Sequence, residues 1–235
     1  MLTDFHSHIL PGIDDGSRNV EQSISMLQAE AAQGIARVVA TPHFYANHND
    51  PNRFLDRRAK AAEALSLAAA GETGLPEVVV GTEVHYFSGM SHSEVLPQLA
   101  IAGTRHILIE MPHAPWSESM YRELAEIYTA RKLTPVIAHI DRYIRPLHTH
   151  GIPGRLEELP VLVQANADFF LDRSMAGMAL RMLRKKQIHL LGSDCHNLSD
   201  RAPNLGAAVK VIGNRLGQDA LARIRGYENR ILTKV

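Results

Sequence analysis

The sequence predicts an α/β protein built on a parallel sheet, either open or closed into a barrel, and three observations carry that prediction. Short apolar runs alternate with helical patterns about seven times along the chain. The runs are apolar on consecutive positions, as strands buried on both faces are. The length, 235 residues of which 45% are hydrophobic, suits one compact domain spanning 1–235, since α/β barrels of this size commonly do not split.

The elements follow in order. "MLTDF" reads as a strand. From Val20 to Gln33, a helical face collects Val20, Ile24, Leu27 and Ala31, and Gly34 can end it. "ARVVATP" is a strand, Pro51 to Ala70 an alanine-rich helix, and "EVVVGTEV" and "RHILIEMP" two further strands. Met120, Leu124, Ile127, Tyr128 and Arg131 line the next helix. "TPVIAHI" and "VLVQAN" are strands, Met175, Met178, Met182 and Leu183 mark a helix, "IHLLGSD" is a strand, and two helices close the chain. "RPLHTHGIPGR" reads as a loop. There is no solenoid repeat and no domain linker.

Composition narrows the function. The 25 basic and 25 acidic residues cancel, which gives no general attraction for nucleic acid or for an anionic membrane. No apolar run approaches the ~20 residues of a membrane span. The N-terminus lacks a secretion pattern, so a cytoplasmic protein is expected. The single cysteine, Cys195, excludes an internal disulfide. Histidine is abundant, at 13 residues, and many lie beside carboxylates.

Those histidines fall at strand ends. His6 and His8, with Asp14 and Asp15 shortly after, follow the first strand in "DFHSHILPGIDDG". His43 follows the second, Glu83 and His85 end the third, Glu110 ends the fourth, His139 the next, and Asp194 and His196 the last. In a barrel, all strand C-termini open on one face. That topology would gather His6, His8, Asp15, His43, Glu83, Glu110, His139, Asp194 and His196. Nine such groups need compensation in a closed pocket. Several divalent cations would supply it, and a mixed imidazole and carboxylate set without thiolate suits manganese, iron or zinc in a hydrolytic site. Any one of these residues alone is as readily a surface polar group or a helix cap; only the set together points to metal. His85 is intermediate, and His48, His92, His113, His148 and His150 have no such placement.

The motifs "DFHSHILPGIDDG", "ATPHF", "GTEVHY", "LIEMPH", "TPVIAHIDRY" and "SDCHNLSDRAP", running from Asp4 to Pro203, give the chain a further character. It resembles the PHP (polymerase and histidinol phosphatase) superfamily, and within it the bacterial manganese-dependent protein-tyrosine phosphatases of capsule and exopolysaccharide loci. The resemblance implies a distorted (β/α)7 TIM-like barrel with three divalent metal ions, Mn2+ in the first place and Fe or Zn as alternatives. It implies His6, His8, Glu83 and Asp194 on the first ion, Asp15, His43 and His196 on the second, and Glu83, Glu110 and His139 on the third. The tandem Asp14–Asp15 leaves the ligand open between neighbours. Arg142 and Arg201 fall where the family places arginines on the substrate phosphate, as catalytic and substrate-binding residues, a role suited to their planar fork. The implied substrate is a phosphotyrosine protein, such as the tail of a tyrosine kinase of polysaccharide export, hydrolysed by metal-activated water without a covalent intermediate. His85 and Asp141 are the candidates for a general acid. The segments "ADFFLDRS" and Ala46–Arg53 depart from the family pattern and fall where a substrate mouth would be lined.

Other readings compete. A PHP phosphatase acting on a small phosphomonoester such as histidinol phosphate would need the same metals. An amidohydrolase would have less use for two arginines, and a decayed scaffold would lack ligands. "CHNLSDR" also fits C-x5-R, which would make Cys195 a nucleophile. That loop has no glycine and carries Asp200 after Asp194, and carboxylates there would repel a phosphate and raise the thiol pKa.

Overall fold

The apolar runs become strands in the expected order. The computed structural model describes residues 2–144 and 151–232. Its elements are β1 (Leu2–Ser7), α1 (Val20–Ala32), β2 (Ile35–Ala40), β3 (His43–Phe44), α2 (Pro51–Ala69), β4 (Glu77–Val80), β5 (Glu83–His85), β6 (His106–Glu110), α3 (Glu118–Arg131) and β7 (Thr134–Ile137). They continue with α4 (Asp141–Ile144), α5 (Ile152–Glu157), β8 (Leu162–Asn166), α6 (Ala167–Leu171), α7 (Ala176–Arg184), β9 (Leu190–Gly192), α8 (Leu205–Leu216) and α9 (Gln218–Leu232). Side chains of Asn19 and Asp50 cap α1 and α2, accepting from the Gln22 and Arg53 amides at 2.9 Å each.

The expected strand "EVVVGTEV" is broken in two, and "ARVVATP" is followed by a further short strand at His43–Phe44. β2 and β3 part at Thr41–Pro42, where proline has no N–H for the ladder, and β4 and β5 part at Gly81–Thr82. One sheet therefore runs β1-β2-β4 and the other β3-β5-β6-β7-β8-β9, with every pairing parallel. Counting β2 with β3 and β4 with β5 leaves seven positions. The ring closes where Ser7 bridges Cys195, His8 N–H donates to Cys195 O at 2.9 Å and Asp194 N–H to His6 O at 2.8 Å. The fold is the distorted (β/α)7 barrel.

Phe5, Val39, Leu108, Val136 and Leu190 form one buried cluster with Ile231 of α9. Five different strands meet at such a cluster only inside the barrel. Strand alternation then dictates what lies above. Glu110 stands two residues beyond Leu108, Gln164 two beyond the half-buried Leu162, and Asp194 four beyond Leu190. In β1 a register shift between Asp4 and Ser7 lets Phe5 pack in the interior while His6 also reaches the polar end, as a bulge can re-aim a side chain. Gly192 is required there: a Cβ would lie 2.5 Å from His6 Cβ and 2.8 Å from Gln164 Nε2.

Two sequence expectations need correction. Tyr128 does not join the buried face of α3 but is 46% exposed; Tyr121 and Glu123 are buried instead, beside Leu124 and Ile127. In "RPLHTHGIPGR", residues 145–150, including His148 and His150, lie outside the described residues, and Ile152–Glu157 is helical rather than loop, with Pro153 in its first turn.

Candidate metal centre

The strand ends bring their imidazoles and carboxylates onto one carboxylate, Glu83 of β5, which is fully buried. Its Oε2 lies 3.1 Å from His6 Nε2, 3.3 Å from His8 Nε2 and 3.0 Å from His43 Nδ1, and its Oε1 lies 2.8 Å from His139 Nε2. Asp194 Oδ1 stands 3.5 Å from both His6 Nε2 and His8 Nε2. Asp15 Oδ1 reaches His43 Nε2 at 3.5 Å and His196 Nε2 at 3.4 Å. Glu110 Oε1 lies 3.5 Å from His139 Nε2. All nine predicted residues thus meet at the C-terminal ends of the strands.

The tandem aspartates separate by burial. Asp14 turns inward, where its Oδ2 accepts from His8 Nδ1 at 2.8 Å and from the His43 amide at 3.0 Å, and its Oδ1 accepts from Gly16 N–H at 3.0 Å. Asp15 is 65% exposed at the mouth. The close pass behind them needs Gly16, since a Cβ there would collide with His8. His139 and Asp194 adopt left-handed backbone, at φ 30° and 56°. For non-glycine residues such conformations cost about 1–3 kcal/mol and cluster at functional sites.

The charges are mutually compensating. Burial opposes ionisation of Glu83, but His6, His139 and His43 outweigh it and hold the carboxyl well below its usual range. Asp194 is likewise held well below, with burial opposed by His6, His8 and Arg142. The counterpart is seen in His6 and His8: burial opposes protonation, yet Glu83 and Asp194 around His6, and Asp14 beside His8, raise their pKa values. His196 is lowered to about 4 by burial and by His8.

This donor set suits divalent cations. Glu83 Oε2, His43 Nδ1 and His196 Nε2 are buried and have no hydrogen-bond partner, a deficit of about 1–3 kcal/mol per group if nothing else meets them. Ligand atoms of His8, Asp15, His43 and His196 lie mutually within 4.8 Å, as do those of His6, His8 and Asp194, and those of His43, Glu83 and Glu110. Imidazole with carboxylate, free of thiolate, is a set for manganese, iron or zinc.

Both arginines close on Asp194. Arg142 Nη2 donates to Oδ2, and Arg201 Nη2 to Oδ1 at 2.9 Å. Arg142 also lies 3.9 Å from Glu110, and Arg201 3.9 Å from Asp15. With Asp141, Asn166 and Asn204 they line a hollow of about 190 Å³. Larger hollows of about 470 and 600 Å³ border α2, away from these groups. His85 sits at the mouth with Nδ1 3.0 Å from Glu110 Oε2, and Asp141 in the hollow's wall accepts from the Asn166 amide at 3.0 Å.

Cys195 faces the other way. It is fully buried toward Glu30, 3.8 Å from Oε1, and burial together with Asp4 and Glu30 pushes its thiol well above the ordinary range. That removes the C-x5-R reading. Sequence reasoning missed Gln164 and Asn166, which touch His6, His139 and Asp194 from below. The only available signal was two amides at alternate positions of an otherwise apolar strand. It also set aside His113, whose Nε2 lies 3.9 Å from Glu110.

Comparison with known proteins sharpens the picture. Residues 2–232 match the family described as capsular polysaccharide synthesis, CpsB/CapC. The tyrosine-protein phosphatase YwqE of Bacillus subtilis is 28% identical over 227 residues, covering 93% of this chain and 86% of that protein. The tyrosine-protein phosphatase CpsB of Streptococcus agalactiae is 26% identical over 233 residues, covering 93% and 92%. Among solved structures, one from a study of YwqE of Bacillus subtilis and CpsB of Streptococcus pneumoniae, described as metal-dependent tyrosine phosphatases, superposes with a TM-score of 0.85 at 25% identity, over 99% of this chain and 95% of that one. A lactonase of Listeria monocytogenes, at 11% identity and a TM-score of 0.54, shares the fold alone.

Proposed function

The chain belongs to the CpsB/CapC family of capsular polysaccharide synthesis, and from that premise we propose that it is a metal-dependent protein-tyrosine phosphatase acting as a single domain. The observation that carries the reading is Glu83, a buried carboxylate within 3.3 Å of four imidazoles and with one oxygen lacking a hydrogen-bond partner. His6, His8, Glu83 and Asp194 would hold a first cation, Asp15, His43 and His196 a second, and Glu83, Glu110 and His139 a third. Manganese is the proposed ion.

When bound, such cations supply Lewis acidity toward a phosphoryl oxygen and acidify water. The chain's own residues do the rest. Arg142 and Arg201, each about one third exposed, turn their forks from Asp194 to the phosphate and absorb the charge that grows on its equatorial oxygens. The phenol of tyrosine, with a pKa of about 10, leaves without a strong acid. His85 at the mouth, steadied by Glu110, is placed to give it a proton.

The relatives named tyrosine-protein phosphatases favour a phosphate carried on a protein over one on a free metabolite. The substrate we propose is a phosphotyrosine segment of a tyrosine kinase that controls capsule or exopolysaccharide synthesis, met in the cytoplasm. Among the described residues no helix is long and apolar enough to cross a membrane.

The test is phosphate release from a phosphotyrosyl peptide by protein as purified, after EDTA, and after Mn2+ add-back. Loss and recovery are expected. Activity that survives exhaustive chelation overturns the metal mechanism. A metal-loaded protein inert on the peptide but active on histidinol phosphate overturns the substrate.

A further inference from the structure

Of the seven strand positions, six deliver one or more of the nine imidazoles and carboxylates, and β8 delivers none. In their place it carries Gln164, fully buried, and Asn166, 6% exposed. Gln164 Oε1 accepts from the backbone N–H of His139 at 2.6 Å. That amide can only donate, so the atom facing it is oxygen. The same oxygen lies 3.3 Å from His6 Nδ1, which must therefore carry hydrogen, so Nε2, beside Glu83 and Asp194, is the nitrogen that would give up its proton to ligate a cation.

The other end of the amide is then fixed as well. Gln164 Nε2 donates to Asn166 Oδ1 at 3.0 Å, which turns Asn166 Nδ2 onto Asp194 Oδ2 at 3.1 Å. One backbone N–H thereby sets, through two amides, the tautomer of His6, the left-handed turn at His139 and the orientation of Asp194. Gly192 leaves room for this, since any Cβ there would meet Gln164 Nε2 at 2.8 Å.

We infer that Gln164, with Asn166 as its relay, is the positioning residue of the metal centre, orienting ligands from three other strands while binding no ion itself. The inference rests on the metal reading above. Groups that hold ligands in this way typically affect metal affinity about 10–100-fold when removed.

The test compares Mn2+ affinity, by competition with a metallochromic chelator, in the wild-type chain, Gln164→Met and Gln164→Glu, with folding checked by circular dichroism. Methionine fills the space without hydrogen bonds, and a loss of about 10–100-fold is expected. Glutamate keeps an acceptor for both His6 and His139 but sets an oxygen against Asn166 Oδ1, so it is expected to recover part of that loss and not all of it, which a space-filling role would not predict. Should Gln164→Met fail to fold, Asn166→Ala unties Asp194 while leaving the Gln164 contacts to His6 and His139, and is expected to weaken binding. Wild-type affinity in folded Gln164→Met, or in Asn166→Ala, overturns the inference, and so does a glutamate variant as weak as the methionine one. A wild-type chain that takes up no divalent cation overturns the metal reading instead, and this inference with it.

Discussion

Replacing Asp14 by asparagine tests whether the two neighbouring aspartates divide the work as their burial suggests. Asp14 sits beneath the cluster with its side chain 6% exposed, and accepts from His8 Nδ1, His43 N–H and Gly16 N–H. Burial opposes its ionisation, but the His8 imidazole and the two amides outweigh it and lower its pKa from 3.8 to about 2. That displacement corresponds to about 2.5 kcal/mol of folding stability. His8 is raised by the same contact, so the interaction is counted once. Asparagine removes the charge and leaves one oxygen for three donors, giving an expected total of about 2–4 kcal/mol.

For a chain of this length the expected fall in Tm of the metal-free protein is about 5–15 °C at pH 7. The sign of the pH dependence follows from the lowered pKa. The wild-type advantage is complete above the unfolded value of 3.8 and disappears as pH falls through about 2, so the two melting curves should converge in acid. Asp15→Asn should behave oppositely. With 65% exposure and contacts only at the mouth, it should leave the stability of the metal-free protein within about 0.5 kcal/mol of wild type while weakening Mn2+ binding. Differential scanning calorimetry and chelator competition on both variants decide the matter. An Asp14→Asn protein that melts with wild type at pH 7, beside an Asp15→Asn protein that does not, would refute the assignment.

Three shorter predictions concern separate parts of the molecule. Iodoacetamide at neutral pH should neither label native Cys195 nor inactivate the enzyme, because the thiol is buried and raised; rapid labelling with loss of activity would reopen the C-x5-R reading. Glu228 of α9 is 1% exposed, and burial lifts it from 4.5 to about 7, so stability should decline as pH rises between those values. Glu228→Gln should therefore be more stable than wild type at pH 8, by up to about 3 kcal/mol, and melt higher there, with little difference at pH 4.5; equal melting at pH 8 would count against it. Arg142→Lys and Arg201→Lys should each lower kcat/KM on a phosphotyrosyl peptide about 10–100-fold, the loss of a charge-assisted hydrogen bond, with metal content unchanged; metal lost in proportion to activity would place the arginines in support of Asp194 rather than on the phosphate.

How far the site was legible in the sequence depended on which force set each feature. The gathering of His6, His43, Glu83, Glu110, His139 and Asp194 could be read ahead, because burial on both faces makes strands apolar and any charged group must wait for the strand's open end. The choice between Asp14 and Asp15 could not, because both fit the chemistry and only the loop's closure over Gly16 turns one of them under His8. Tyr128 on α3 was misread for a related reason: Tyr121 and Tyr128, seven residues apart, share one side of the helix, and only the neighbouring elements decide which end of that side is covered. Gln164 was invisible for a third reason. A buried amide looks the same in sequence whether it fills space or directs others, and its meaning lies in which end faces a group that can only donate. The same applies to the left-handed turns at His139 and Asp194. Nothing in either residue type demands that conformation, so it must be imposed by neighbours, and the His139 turn is tied by its own N–H to the oxygen of Gln164. The strain at the strand ends and the buried amides below them are therefore one arrangement: the strand that brings no charged group is the one that holds the others in place.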